Sequence, residues 1–141
     1  MYHSAATSGP SPVMLEPPDL VTSVIGDRVS LQQVLLNLIM NAVEAMRTVQ
    51  DRPRIVSIAV SEALENMSCV SVRDAGIGLH ASQLERIFDA FHTTKEDGMG
   101  MGLSICRNLV RAMGAELYYE STLGWGTRFH FEVELPPVSP V

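Results

Sequence analysis

The sequence predicts an α/β fold in a single domain, and three observations carry that prediction. Apolar residues recur at helical spacing over residues 31–46 and again over 103–113. Residues 56–61, 67–73, 116–121 and 127–135 read instead as strands, with apolar and polar positions alternating or with a short apolar run bounded by turn residues. Finally, 141 residues with 46% hydrophobic and 18% charged positions supply enough apolar surface for one core and too short a chain for two.

Residues 1–20 hold Pro10, Pro12, Pro17 and Pro18 among Ser, Thr and Gly, a composition that buries little, and are expected to be a flexible lead-in to a domain spanning 21–136, with 137–141 as a tail. Asp27 stands where the first helix needs an N-cap; Leu31, Val34, Leu35, Leu38, Ile39, Ala42, Val43 and Met46 form its apolar face. Asp51, Arg52 and Pro53 end that helix before the first strand pair. Asp74-Ala75-Gly76-Ile77-Gly78 is too rich in glycine to continue a strand and predicts a tight bend. A short helix follows, with Ser82 and Glu85 expected as its capping box, and then a glycine-punctuated stretch to Met101 whose length points to a lid. Gly114 is the expected C-cap of the second long helix, and residues 122–126 the connection of a closing hairpin.

Charge and composition exclude several functions. A net charge of −6 leaves no basic surplus for a protein that binds nucleic acid by neutralising phosphates. No apolar run approaches the roughly 20 residues of a membrane helix, and the first residues have neither a basic nor an apolar signal region, so a cytoplasmic domain without membrane contact is expected. Cys69 and Cys106 fit two reduced core thiols better than a disulfide or a metal framework.

Three groups of residues stand out chemically. At about 100° per residue, Asn37, Asn41, Glu44 and Thr48 fall within roughly 60° of one another on the first helix. That polar stripe is either a solvated face or a place where the Asn37 and Asn41 carboxamides, one turn apart, orient a hydrated Mg²⁺. Asp74 at a strand end, followed by Gly76 and Gly78, is either an ordinary turn or an acceptor for an exocyclic amine above a closely approached backbone. Gly98, Gly100 and Gly102 directly precede a helix, where bare amides and the helix N-terminus can hold phosphate; a plain hinge is the alternative. Lys95 is the cation of the lid segment, and GxxxxGK[ST] is absent.

In this order, these strings resemble the catalytic ATP-binding domain of two-component sensor histidine kinases, in the superfamily that includes gyrase, Hsp90 and MutL. LQQVLLNLIMNAVEAM (31–46) is similar to the asparagine box, DAGIGL (74–79) to the first glycine box, IFDAFHTTK (87–95) to the phenylalanine box, GMGMGLSICR (98–107) to the second glycine box, and GWGTRFHFEVELP (124–136) to the closing segment. TTK followed by GMGMGLS is similar to the nitrogen- and oxygen-sensing subgroup. The resemblance implies a Bergerat-type two-layer α/β sandwich, a mixed sheet with helices on one face and a mobile ATP lid. It further implies ATP and Mg²⁺ as cofactors, with Asn41 as metal ligand assisted by Asn37, and Asp74 accepting from the adenine amino group. Gly76 and Gly78 would floor the adenine pocket, Gly98, Gly100, Gly102 and Leu103 would pass the phosphates, Lys95 would meet the terminal one, Phe88 and Phe91 would pack the lid, and Thr127 would lie near the adenine.

Two departures qualify what carries over. Hydrolytic relatives have a glutamate where this chain has Asn37, so a base for water is missing and hydrolysis should be poor. Many sensor kinases have a lysine where this chain has Glu44, which leaves Glu44 an acid-base candidate only. None of His3, His80, His92 and His130 is followed by the acidic residue of a histidine box. The expectation is therefore transfer of the ATP γ-phosphoryl group to a histidine on a dimerisation domain outside these residues, with a response regulator downstream. The alternatives are a nucleotide-sensing interaction module, in which ATP orders the lid without transfer, and an anti-sigma-type serine kinase of the same superfamily.

Overall fold

The computed structural model describes residues 13–16, 27–63, 66–89 and 102–134. The elements are β1 (Val13–Glu16), α1 (Arg28–Ala45), β2 (Arg54–Glu62), β3 (Met67–Arg73), α2 (Ala81–Leu84), α3 (Gly102–Ala112), β4 (Tyr118–Thr122) and β5 (Gly126–Glu134). The sheet runs β1-β2-β3-β5-β4, parallel between β1 and β2 and antiparallel elsewhere, so it is mixed as expected.

β1 is a correction to the sequence reading, because it lies inside the lead-in. VMLE is the four-residue stretch between Pro12 and Pro17, and prolines at both ends are compatible with a short edge strand, where one backbone edge needs no ladder partner. Val13 and Leu15 remain exposed there, in keeping with a segment that buries little.

α1 starts where Asp27 caps it: Asp27 Oδ2 accepts from the Ser30 N–H (3.3 Å) and hydroxyl (2.6 Å). Its predicted apolar face packs against the sheet and α3 through Val34, Leu38 and Ala42, and of that set Val43 alone is exposed. The core closes with Val56, Val70, Val72, Phe129, Phe131 and Val133 from the strands and Cys106 and Val110 from α3. α1 and α3 pack together on one face of the sheet, which makes the two-layer sandwich. Gly114 ends α3 as expected, its N–H donating to the Arg111 carbonyl while Ala115 N–H reaches Val110.

The capping box of α2 is displaced by two residues from the expected Ser82 and Glu85. His80 is the N-cap, and its backbone N–H donates to Gln83 Oε1 (2.9 Å). Gln83 N–H donates back to the His80 carbonyl (2.9 Å), so the Gln83 side chain supplies its half of a capping box, and Ser82 is instead an exposed helical residue. Both cysteines are free, but only Cys106 is a core thiol; Cys69 is half-buried on the other face of β3, beside His130 and Arg128. Burial pushes the Cys106 thiol up to about 11, which keeps it protonated and unreactive. Among the described residues no helix is long and apolar enough to cross a membrane.

Candidate functional site

The end of α1, the β3 turn, α2, the start of α3 and the start of β5 enclose a cavity of about 240 Å³. Asn41, Glu44 and Thr48 line it from α1 and its exit, Asp74 and Gly78 from the turn, Leu103 from α3, and Thr127 from β5. Six predicted site residues, Asn41, Glu44, Asp74, Gly78, Leu103 and Thr127, are thus brought to one cavity wall from stretches far apart in sequence.

Asp74 is held in place by the strands on either side of it. It leaves β3 paired with β5, its N–H donating to the Thr127 carbonyl (2.9 Å), while Oδ1 accepts from the N–H groups of Gly76 (2.8 Å) and Thr127 (3.2 Å). Oδ1 thus orders the turn through two backbone N–H groups. Burial raises the carboxyl above the ordinary Asp value; the Gly76 and Thr127 N–H groups and the Arg52 charge act in the opposite direction. The Thr127 hydroxyl lies 2.9 Å from Ser121 Oγ, which also accepts from Leu79 N–H (2.9 Å), so the hairpin and the turn are tied together beside Asp74.

Three glycines here are required by close approach, among them Gly78 (φ +74°), whose Cβ would collide with the Thr122 carbonyl oxygen. A Cβ on Gly76 would lie 2.6 Å from the Ala45 carbonyl oxygen at the end of α1. Gly126 has φ +120°, and a Cβ there would collide with the Asp74 carbonyl oxygen. The turn, helix and hairpin therefore meet backbone to backbone beneath the cavity. Gly76 is in this floor rather than on the wall.

The α1 stripe divides. Asn41 lines the cavity, and its buried Nδ2 has no hydrogen-bond partner among the described residues. A buried amide left unpaired is costly, and one facing a cavity can be satisfied by a ligand. Asn37, one turn earlier, is buried on the side of α1 that meets α3 and is not among the cavity residues; its Oδ1 accepts from Gln33 Nε2 (3.2 Å), and it lowers the Cys106 thiol against the larger effect of burial. Glu44 pairs with Arg47 at 3.3 Å, and Arg47 also lines the cavity. The solvated-face reading of the stripe fails at Asn37 and Asn41, which are not exposed.

Gly102 opens α3 and is buried there. Phe88 packs edge-on to Tyr119 (5.8 Å), with the Arg107 guanidinium 5.0 Å from its ring centre. Phe91, Lys95, Gly98 and Gly100 lie outside the described residues. The sequence reading missed Ser121, Gln83, Ile77, Leu79, Ile87 and Phe129. The hairpin register was the available signal for Ser121, since a 122–126 connection places it opposite Thr127.

Among the described residues no three His, Cys, Asp or Glu side chains gather as a metal cage. The cavity offers two carboxamides, Asn41 and Gln83, and two carboxylates, Glu44 and Asp74, and such oxygen donors suit a hard cation that keeps waters and oxyanion ligands.

Comparison with known proteins shows the family and the fold. The family model described as histidine kinase-, DNA gyrase B- and HSP90-like ATPase matches residues 26–137. The sensor protein FixL of Bradyrhizobium diazoefficiens is 42% identical over 108 residues, 77% of this chain and 21% of that protein. The nucleotide-free catalytic domain of histidine kinase ThkA superposes with a TM-score of 0.70 at 33% identity, covering 87% of this chain and 78% of that one. Full-length ShkA in complex with AMPPNP gives 0.74 at 28% identity, covering 89% of this chain and 27% of that one. The chain spans about a fifth of the length of FixL.

Proposed function

Since this chain belongs to the family of histidine kinase-, DNA gyrase B- and HSP90-like ATPases, as a catalytic domain of the sensor histidine kinase kind, we propose that it binds MgATP in the cavity between α1, the β3 turn and β5 and donates the γ-phosphoryl group to a histidine on a dimerisation domain outside these 141 residues. The carrying observation is that two groups meet on one cavity wall: Asp74, its carboxylate fixed by the Gly76 and Thr127 N–H groups, and Asn41, whose buried Nδ2 has no partner among the described residues. AMPPNP in the related ShkA supports an adenine nucleotide as the occupant.

In this reading Asp74 accepts from the adenine amino group, with the Thr127 and Ser121 hydroxyls beside it; Gly78 lines the pocket at the base, and Gly76 lies in the floor beneath, where the lack of a side chain lets the turn meet the end of α1. The carboxamide of Asn41 holds Mg²⁺; rotating its amide exchanges oxygen for nitrogen, so the carbonyl oxygen would face the metal. Bound there, Mg²⁺ would offset the negative charge of the phosphates. The phosphates run toward Leu103 and the N-terminus of α3 at Gly102, whose partial positive charge favours them, with Gly98, Gly100 and Lys95 joining from the preceding segment. Asn37, buried against α3, supports the helix that carries Asn41 rather than touching the nucleotide. Glu44 is kept from acting as an isolated carboxylate by Arg47. Catalysis is positioning and charge stabilisation, and the nucleophile comes from the acceptor domain. The setting is cytoplasmic, with a response regulator as the next acceptor.

The test is incubation of the chain with γ-labelled ATP, Mg²⁺ and the separately produced histidine-bearing domain. Acid-labile, base-stable label on that domain is expected. Nucleotide binding without label on any acceptor would instead support an interaction module, and acid-stable label on a serine a serine kinase.

A further inference from the structure

Arg52 stands outside the cavity, on the loop between α1 and β2, and the sequence gives it no role beyond ending a helix. Its Nε donates to the Ala75 carbonyl (2.9 Å) and its Nη2 to the Gly76 carbonyl (2.8 Å), bonds that span more than twenty residues of sequence. The first of these matters most. The N–H and C=O of a trans peptide point in opposite directions, and the Ala75–Gly76 peptide is held at both edges: its N–H by Asp74 Oδ1 (2.8 Å), its C=O by Arg52. Rotating that peptide away from Asp74 would break both bonds at once. The fork of the guanidinium reaches the next carbonyl as well, so two successive peptides of the turn are fixed by one planar group. The guanidinium is itself anchored only loosely by charge, with Asp51 at 3.7 Å, so its two short bonds go to the turn.

Resting on the assignment of Asp74 as the adenine acceptor, we propose that Arg52 is a positioning residue for base recognition: it locks the Ala75–Gly76 peptide, the peptide locks Asp74 Oδ1, and Oδ2 is thereby held for the exocyclic amine. Arg52 also lowers the Asp74 carboxyl against the effect of burial, which favours the ionised acceptor. Its influence falls on the base end of the cavity and leaves the metal end, carried by Asn41, untouched. The substrate discrimination it supports is adenine over guanine, since guanine presents a carbonyl oxygen where adenine presents the amine, and a carboxylate oxygen held there repels it.

The experiment is a set of binding isotherms for ADP and GDP, without divalent metal, on the wild-type chain, Arg52→Lys and Arg52→Met, each accompanied by a thermal melt. The expected result is an ADP preference in the wild type that falls about tenfold in both variants, through weaker ADP binding with GDP nearly unchanged, the size expected for losing a charge-assisted contact. Lysine does not rescue, because a single ammonium lacks the fork that serves two carbonyls together. An unchanged ADP/GDP ratio in both variants, whatever happens to their melting temperatures, overturns the proposal, as does full recovery in Arg52→Lys. If Arg52→Met does not fold, Arg52→Lys alone decides. A wild type with no preference between ADP and GDP defeats the Asp74 assignment itself, and the Arg52 proposal with it.

Discussion

The two ends of the cavity are built on opposite principles. At the Asp74 end, the protein has satisfied itself: one carboxylate oxygen takes two backbone N–H groups, Ser121 and Thr127 share a hydrogen bond, and Arg52 holds the turn carbonyls. At the Asn41 end, a buried amide nitrogen has no partner among the described residues. In the proposed function the first end is a preformed mould for a flat, neutral group, whose recognition depends on fixed direction. The second leaves polar capacity unspent, which in the proposed function is taken up by a charged group with its own metal and water, and a buried amide without a partner costs stability. Mutations at the two ends should therefore differ in kind as well as in size.

The largest effect belongs to the backbone junction under the preformed end. Gly126→Ala adds a Cβ against the Asp74 carbonyl at a φ of +120°, and is expected to destabilise the chain by about 3 kcal/mol, measured by denaturant unfolding. A loss under about 0.5 kcal/mol would mean that hairpin and turn are not locked together as described. Next, Asp74→Asn keeps an Oδ1 acceptor for the turn but replaces the carboxylate, so it should unfold near the wild-type midpoint while ADP affinity falls by about tenfold to a hundredfold, with or without Mg²⁺.

Asn41→Leu should separate the ends most sharply. Removing an unpaired buried amide is expected to leave the ligand-free chain as stable as the wild type or more so, while the gain in nucleotide affinity on adding Mg²⁺ disappears and metal-free ADP binding stays within about twofold. Clear destabilisation without loss of the metal effect would place the metal elsewhere.

The smallest effect is a pH slope. The folded-state Asp74 value is raised above the ordinary 3.8, so over the window from that value up to the raised one the folded chain holds more proton than the unfolded chain. The stability contribution of Asp74 is thus fully present below the ordinary value and is lost as pH rises through the raised one. ADP binding, which needs the ionised acceptor, moves the other way and weakens as pH falls through the raised value. Both slopes should vanish in Asp74→Asn, followed by melting and by titration calorimetry across the acidic range.

Much of this was readable from residue order because the signals are local. Helical spacing and Asp27 located α1, alternation located β2 and β3, and the run Asp74 to Gly78 announced its turn. The family resemblance then placed Asn41, Asp74 and Thr127 on one site. β1 escaped because four residues between prolines carry no periodicity; it is a strand by virtue of pairing with β2, a non-local contact. Asn37 and Asn41 looked equivalent on a helical projection, and only the packing of α3 against α1 separates a buried supporting amide from a cavity amide. Arg52 escaped for the same reason, since its partners lie 23 and 24 residues away and are carbonyls, which leave no mark on side-chain pattern.

The measurement that bears most directly on the whole account is calorimetric titration of AMPPNP into the wild-type chain, Asp74→Asn and Asn41→Leu, each with and without Mg²⁺. The account predicts binding to the wild type that tightens with Mg²⁺, weakened binding with the Mg²⁺ gain retained in Asp74→Asn, and binding with no Mg²⁺ gain in Asn41→Leu. Equal isotherms for all three proteins, or no heat from the wild type up to millimolar nucleotide, would contradict it.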